Sequence, residues 1–167
     1  WNQPAIAVVG TRKITGYGKA VTEQFTKGLS GAGLVIVSGL AQGVDSQAHL
    51  TTIAENGRTI AVLGSGLNNI FPPENRGLAA KIASGYGAVI SEFPPDYASF
   101  PGNFPARNRI ISGLSLAVLV IEAAEGSGSL ITARLALEQG REVFADPGTV
   151  TSGLSKEPIN LAMSLEF

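Results

Sequence analysis

The stretch LAVLVIEAAEGSGSLITARLALEQGREVFA, residues 116–145, contains the unit that decides the fold. An apolar run rich in β-branched residues (116–123) leads into a glycine-serine loop, then a segment with helical spacing that ends at Gly140, then a second apolar run (142–145). Continuous rather than alternating apolar runs are typical of strands that are buried on both faces. The stretch therefore predicts a β-α-β unit with parallel strands.

The same alternation recurs through the rest of the chain. Further apolar runs lie at 5–9, 34–38, 59–63 and 87–91, and segments with helical spacing lie at 18–33, 44–57 and 76–87. In the first of these segments the expected buried face is Ala20, Val21, Phe25 and Leu29. We predict an α/β fold, a single Rossmann-like domain over residues 1–167 with a doubly wound, mainly parallel sheet in three α-β-α layers.

Composition excludes several classes of protein. Hydrophobic residues make up 44% and charged residues 15% of the chain, which predicts a large buried core. We expect no membrane span and no leader segment, and the absence of cysteine favours a cytoplasmic location. A single histidine excludes a histidine-rich metal site, and no metal or cofactor is expected. With a net charge of −1, nucleic acid would have to be bound by a local basic patch.

The ends of the predicted strands favour a binding site. In an open parallel sheet, ligands bind at the carboxyl ends of the strands. Nearly every strand is followed there by glycine, serine or a charged residue, including Arg12 and Lys13 after the first strand. Glycine lets backbone N–H groups approach a ligand closely. Tight turns alone would account for part of these glycines, but several such loops at one edge favour a ligand.

The loop EGSGS (125–129) is the strongest candidate for an anion site. Its glycines and serines lead directly into a predicted helix, where free N–H groups, hydroxyls and the positive helix end suit phosphate. The alternative is N-capping by serine alone, but two glycines flanking a serine exceed what a cap needs. The loop after the first strand matches neither GxGxxG nor a Walker motif, so a standard dinucleotide site is not expected.

The stretch FPARNRIISGLS (104–115) places two arginines at the start of a predicted short helix, RNRIISGLS (107–115). Positions two apart on a helix face away from each other, so different roles are expected. We expect Arg107 at the carboxyl edge of the sheet, and Arg109 in a structural role, such as pairing with Glu92 or Glu122. Nearby aromatic rings, Phe100 and Phe104, could stack on bases, although Phe104 could equally belong to the core.

Signals for catalysis are weak. His49, four residues after Asp45, is expected at the surface or in a capping network. Acids at the ends of strands could supply acid-base chemistry, but no serine is paired with a histidine in a recognisable pattern. These acids are Glu92, Glu122, Glu125 and Asp146.

Six motifs occur in one order along the chain: VVGTRK, SGLAQGVD followed by a histidine, GSGLNNIFPPEN, SEFPP, FPARNRIISGLS and VIEAAEGSGSLITARLALEQGREVFADPG. This set resembles the DNA-processing protein A (DprA, Smf) family, and the resemblance covers residues 5–149. It implies a non-enzymatic, homodimeric protein with an extended Rossmann-like core. Members bind single-stranded DNA in natural transformation and recombination, protect incoming strands and help to load the RecA recombinase.

The resemblance also implies where DNA is bound. The basic residues of the VGTRK and RNR motifs fall where the family builds its DNA pocket, and the GSGS loop would add contacts with phosphate. Little discrimination between sequences and weak binding to duplex are expected. The predicted DNA- and phosphate-binding residues are Arg12, Lys13, Gly39, Gly64, Ser65, Gly66, Arg107, Asn108, Arg109, Gly126, Ser127, Gly128 and Ser129.

The sequence also departs from the family pattern. Members commonly carry a small helical domain before this core and often a winged-helix-like domain after it, so the chain is expected to correspond to the core alone. After residue 149, TSGLSKEPINLAMSLEF keeps only Asn160 and Leu161 of the usual pattern, which leaves any dimer contact there open.

Other functions remain open. A small-nucleotide sensor would use the same edge of the sheet but would saturate with a mononucleotide. Nucleotide phosphoribohydrolases of the lysine-decarboxylase-like group resemble this chain in their glycine-rich loop. However, they carry PGGxGTxxE with a catalytic glutamate, and here Ala133 and Arg134 follow the threonine. A module that only dimerises would leave the glycines and arginines unexplained.

Overall fold

The strands of the protein all belong to one sheet in a computed structural model that describes residues 3–124 and 126–146. They are Ala5–Gly10 (β1), Val35–Ser38 (β2), Thr59–Val62 (β3), Gly87–Ile90 (β4), Ala117–Ile121 (β5) and Glu142–Ala145 (β6). The order is β4-β3-β2-β1-β5-β6, and every pair is parallel. This arrangement confirms the predicted Rossmann-like sheet.

The helices confirm the predicted alternation. They are Gly16–Gly31 (α1), Val44–Ala54 (α2), Arg76–Lys81 (α3), Asn103–Gly113 (α4) and Gly128–Glu138 (α5). A 3₁₀ turn at Pro73–Asn75 precedes α3, and a π-helical turn at Ile82–Tyr86 follows it. Helix α4 begins at Asn103, earlier than predicted. Pro105 is tolerated in its first turn, because a missing N–H there removes no intrahelical hydrogen bond. None of the helices in the described ranges is long and apolar enough to cross a bilayer.

Side chains alternate along the strands between two apolar layers. Val8, Ile36 and Leu119 pack under α1 and α2, whereas Val9 and Val120 pack under α4 and α5. Since successive strand residues point to opposite faces of a sheet, both faces are covered by helices. The observed layers are therefore α-β-α, as predicted.

The predicted buried face of α1 is partly wrong. Ala20 and Phe25 are exposed, and the buried residues are Gly18, Thr22 and Thr26, four apart on the helix. Small side chains allow the helix to lie close to the sheet, and the Thr22 hydroxyl donates to Gly18 O at 2.7 Å, so its burial is satisfied. The other two predicted residues, Val21 and Leu29, are partly buried and pack against the core, so hydrophobicity alone locates only part of the buried face.

The order in which strands are added to the sheet reverses between β1 and β5. Strands β2 to β4 follow on one side of β1, whereas β5 and β6 lie on its other side. The loops that leave β1 and β5 therefore diverge to opposite faces and open a crevice at their carboxyl ends. Gly10 lies at the base of this crevice, where a Cβ would come within 1.9 Å of Ile121 O.

Candidate functional site

A cavity of about 660 Å³ lies at this crevice. Its walls come from the end of β1, from the loop before α5 and from one side of α4. The lining residues are Val9, Gly10, Thr11, Arg12, Ala41, Asp45, Phe71, Pro101, Phe104, Pro105, Arg107, Asn108, Ile111, Gly126, Ser127, Gly128, Ser129, Ile131 and Thr132. The structure thus brings seven of the thirteen sequence-predicted residues into one cavity: Arg12, Arg107, Asn108, Gly126, Ser127, Gly128 and Ser129.

The amino end of α5 opens into the cavity. Ser127 precedes the helix but its side chain does not cap it, because the Ser127 hydroxyl lies 2.8 Å from Ser129 Oγ instead. Asn108 Nδ2 donates to Gly128 O at 3.0 Å and fixes this turn against α4. The first N–H groups of a helix have no partner within the helix and carry its positive end. This arrangement is suited to an anion such as phosphate.

Arg107 is buried at the back of the cavity, with 4% of its surface exposed. Its Nη1 donates to Gly39 O at 2.7 Å and to Val62 O, and its Nε donates to Asn108 Oδ1 at 3.2 Å. Arg107 thus connects α4 to the ends of β2 and β3. Its expected position at the edge of the sheet agrees with the structure, but most of its donors bind the protein itself.

A buried carboxylate accompanies this guanidinium. The Asp45 carboxylate and the Arg107 guanidinium both lie close to Gly39. A Cβ at this position would be 2.7 Å from Asp45 Oδ2 and 2.8 Å from Arg107 Nη2. Burial raises the pKa of Asp45, while the Arg107 charge and the N–H groups of Ala41 and Gly39 oppose that shift. Burial also lowers the pKa of Arg107 to about 10, which leaves it protonated at neutral pH.

Arg109 points away from the cavity. It forms an ion pair with Glu92, and its side chain is 56% exposed. The prediction that the two arginines face in different directions, with Arg109 paired to a carboxylate, agrees with this geometry. Arg109 does not line the cavity, and its contact with DNA stays a prediction.

Arg12 is the exposed cation of the cavity. Its Cζ lies 5.7 Å from the centroid of the Phe104 ring, and the Phe104 ring lies 5.5 Å from the Phe71 ring. A guanidinium above an aromatic face is held by cation–π attraction while its edges stay open to a ligand. The Phe104 side chain is half-buried, which is compatible with both roles considered for it, part of the core and a surface for stacking.

The remaining predicted residues lie outside the cavity. Lys13 is exposed beside it and donates its backbone N–H to Thr11 Oγ1 at 3.1 Å. The N–H groups of Gly39 and Gly66 already donate to Asp45 Oδ2 and Tyr97 O. Ser65 is buried and donates to Asn69 O, and Gly64 packs against the Phe104 ring. The N–H groups of Gly39 and Gly66 and the Ser65 hydroxyl are therefore engaged within the protein.

The acids considered for catalysis hold other parts of the structure. Glu122 accepts from Thr15 N at 3.0 Å and from the Thr15 hydroxyl, at the start of α1. Asp146 accepts from the Tyr17 hydroxyl at 3.2 Å. Glu125 lies outside the described residues, as does the segment from 147 onward. Within the described ranges, Asp45 is the acid that lines the cavity, and no group of three acids or histidines could hold a metal.

The expected position of His49 is wrong. It is fully buried between α2 and the sheet, and its Nδ1 lies 2.7 Å from Thr59 Oγ1. Since the Thr59 hydroxyl donates to Ile36 O, it accepts from His49, which places the imidazole proton on Nδ1. Burial, with a smaller effect of the Arg107 charge, lowers the pKa of His49 to about 3.

We expect this histidine to make stability depend on pH. Unfolded histidine binds its proton near pH 6.5, but folded His49 binds it only near 3, so stability is lost as pH falls between these values. The slope of the unfolding free energy against pH should reach about 1.4 kcal/mol per pH unit. Urea denaturation at pH 7, 6 and 5 measures it.

The variant His49→Gln provides the comparison, since it removes the single histidine of the sequence. Its unfolding free energy should change less between pH 7 and 5 than that of the wild type. Carboxylates, including Asp45, are common to both proteins and cancel in the difference. Equal slopes for the two proteins would contradict the assignment.

Sequence reasoning missed several residues of the cavity. Phe71 lies in GSGLNNIFPPEN, in which only Gly64, Ser65 and Gly66 are predicted site residues, yet its ring faces Phe104. Thr11 and Thr132 also line the cavity, and the Thr132 hydroxyl donates to Gly128 O at 3.3 Å. The signal that could have identified Phe71 is an aromatic residue in a loop that follows a predicted strand, at the carboxyl edge of the sheet.

Comparison with known proteins identifies the family of the chain. The family DNA recombination-mediator protein A matches residues 1–163. Protein Smf of Escherichia coli is 52% identical over 92% of this chain and 41% of its own length. The chain spans about half the length of the curated relatives it matches.

Two solved structures share both the fold and substantial sequence identity with this chain. DNA processing protein A from Streptococcus pneumoniae superposes with a TM-score of 0.89 and 43% identity, over 97% of this chain and 56% of that one. The same protein from Helicobacter pylori, described with a single-stranded DNA binding mode, gives 0.86 and 33%, over 95% of this chain and 73% of that one. The chain therefore belongs to the DNA recombination-mediator protein A family, whose curated relatives are named DprA or Smf.

Proposed function

We propose that this chain binds single-stranded DNA in the cavity between β1 and β5. The observation that carries the proposal is the convergence of Arg12, the amino end of α5 and the Phe71–Phe104 pair on one concave surface. A phosphate would lie between Arg12 and the N–H groups near Gly128. Bases, which single strands leave unpaired, would stack on the rings.

Concavity explains a preference for single strands. A duplex keeps its bases paired and stacked inside, so the aromatic rings would have nothing to contact. The net charge of −1 is also compatible with a focused site, in which a few local cations such as Arg12, and not the overall charge, attract phosphate. Affinity should fall with salt, since phosphate binding releases counterions.

The wider role follows from the family. We propose that the protein acts in recombination and natural transformation as a homodimer in the cytoplasm, protects incoming single strands and helps to load RecA. We further propose that it does so without enzymatic activity. Support comes from the family match, from the DNA-binding relative of H. pylori, and from the engagement of Glu92 and Glu122 away from the cavity.

A second candidate is a sensor of small nucleotides. Its support is the volume of the cavity, about 660 Å³, which lies within the roughly 300–1,000 Å³ of small-molecule sites. A sensor would saturate with one mononucleotide, whereas a strand binder gains affinity with length because further phosphates are contacted.

Fluorescence anisotropy of labelled oligo-dT separates these functions. We expect affinity to increase from four to twelve nucleotides, to fall between low and moderate salt, and to be weak for duplex of the same length. Unlabelled dTMP should compete poorly. Saturation and full competition by dTMP would favour the sensor, and release of free base from nucleotides would identify an enzyme.

A further inference from the structure

The loop that carries Arg12 is fixed at both of its ends. At the first end, Thr11 donates its N–H to Ile121 O at 3.4 Å. At the other end, Thr15 donates both its N–H and its hydroxyl to the Glu122 carboxylate. Arg12 lies between these two anchors and is exposed at the cavity. The place of its side chain relative to the cavity therefore depends on both anchors.

The Glu122 carboxylate is well suited to hold this loop. Glu122 is 3% exposed, and within the described ranges no lysine or arginine forms an ion pair with it. Its Oε2 accepts from the Thr15 N–H at 3.0 Å, and its Oε1 accepts from the Thr15 hydroxyl. That hydroxyl also accepts from Gly18 N at 3.1 Å and so caps α1, whose first turn has no acidic residue of its own. The positive end of the helix favours a carboxylate at this place.

The backbone around Glu122 is adapted to the same contact. Glu122 has a φ of 49°, in the left-handed region that residues other than glycine adopt at a cost in free energy. Such conformations persist where the surrounding structure fixes them. A Cβ on Gly18 would lie 2.0 Å from Glu122 Oε2, so the first turn of α1 has room for the carboxylate because residue 18 is glycine.

We propose that Glu122 is a positioning residue for DNA binding, which holds the Arg12 loop against the loop that leads from β5 to α5. This role rests on the proposed binding of single-stranded DNA in the cavity. Glu122 does not line the cavity itself, so it would act through Arg12 and not by contact with the strand. The contact with Thr15 fixes the distance between Arg12 and the N–H groups near Gly128, the groups proposed to bind a phosphate.

The sign of the effect separates positioning from charge. Glu122 is an acid at the carboxyl edge of the sheet, and a negative charge repels phosphate. By charge alone, its removal would strengthen the binding of DNA. Positioning has the opposite effect, because a freed Arg12 loop must be ordered again when phosphate binds, which costs conformational entropy.

The test measures the anisotropy of labelled oligo-dT with the wild type, Glu122→Ala, Arg12→Ala and the double variant. We expect Glu122→Ala to bind about tenfold more weakly than the wild type, the lower end of what the loss of a charged hydrogen bond causes. Its slope of log affinity against log salt concentration should fall by up to about 0.7, because the phosphate contact of Arg12 is weakened. In the Arg12→Ala background, the same substitution should change affinity by less than about twofold, since the group it positions is already absent.

A second test uses Thr15, which is exposed and whose substitution should leave the protein folded. Thr15→Ala removes one of the two hydrogen bonds to Glu122 and should weaken binding of oligo-dT about threefold, whereas Thr15→Ser should recover the wild-type affinity. Thr22→Ala is the matched control for stability. It removes a buried hydroxyl of α1 that does not line the cavity, so it should lower stability and leave affinity unchanged.

Binding by Glu122→Ala that is as tight as that of the wild type, or tighter, would overturn the positioning role. If that variant does not fold, the same result with Thr15→Ala would overturn it. An equal loss of affinity with and without Arg12 would also overturn it, because Glu122 would then act independently of that residue. In each of these cases DNA binding by the cavity would stand. Failure of the wild type to bind oligo-dT at low salt would instead overturn the proposed function, and the positioning role with it.

Discussion

Replacing Arg107 by alanine is expected to lower the free energy of unfolding by about 3–5 kcal/mol, the cost of removing one member of a buried charge pair. Arg107 is 4% exposed and its guanidinium donates to Gly39 O and Val62 O, so both carbonyls would lose a buried donor. Asp45 would stay buried without its cationic neighbour, with hydrogen bonds from the Gly39 and Ala41 N–H groups and from Ser38. Urea denaturation at pH 7 measures the loss.

The pH and a second substitution identify the cause. Without Arg107 the pKa of Asp45 should rise further, so the folded variant would bind a proton more readily than the unfolded chain. Its deficit against the wild type should therefore shrink as pH falls. Asp45→Asn in the Arg107→Ala background should recover part of the stability for the same reason, because no charge is then left without a partner.

Arg109→Ala is the control for Arg107→Ala. Its ion pair with Glu92 is largely exposed, and such pairs contribute at most about 1 kcal/mol. If both variants were equally stable, the Arg107 guanidinium would not hold α4 to the sheet, and it would be free to contact a ligand instead.

These two arginines show how far sequence reasoning reaches. Their spacing indicates opposite directions, and Glu92 is among the expected partners of Arg109. Which carbonyls would bind Arg107 could not be predicted, because Gly39 and Val62 lie 68 and 45 residues away in the chain. They meet the guanidinium only because β2 and β3 end side by side in the sheet.

The strands and the cavity could be predicted for a related reason. Continuous apolar runs specify strands covered on both faces, and parallel strands bring the loops after them to one edge. The GSGS loop and Arg12 therefore fall at the same place from topology alone. In contrast, His49 and Thr22 are polar residues whose burial depends on partners from other elements, such as Thr59, or on a local carbonyl. Sequence patterns assign such residues to the surface.

Replacing Arg12 by alanine is expected to weaken binding of oligo-dT by about tenfold to a hundredfold, the range for a lost hydrogen bond to a charged group. Arg12 is exposed and lies on the Phe104 ring, so its loss removes a phosphate contact without leaving a buried group unpaired. The folded protein should persist, as circular dichroism and urea denaturation would show.

The salt dependence of binding decides whether Arg12 contacts phosphate. For single strands, each phosphate contact contributes about 0.7 to the slope of log affinity against log salt concentration, so Arg12→Ala should reduce that slope by about 0.7. Lys13→Ala is the matched control, since it removes the neighbouring positive charge, which does not line the cavity. It should change affinity little, because exposed charges without direct contact are screened by salt. Equal losses of affinity and slope in the two variants would mean that diffuse attraction, and not the cavity, holds the strand.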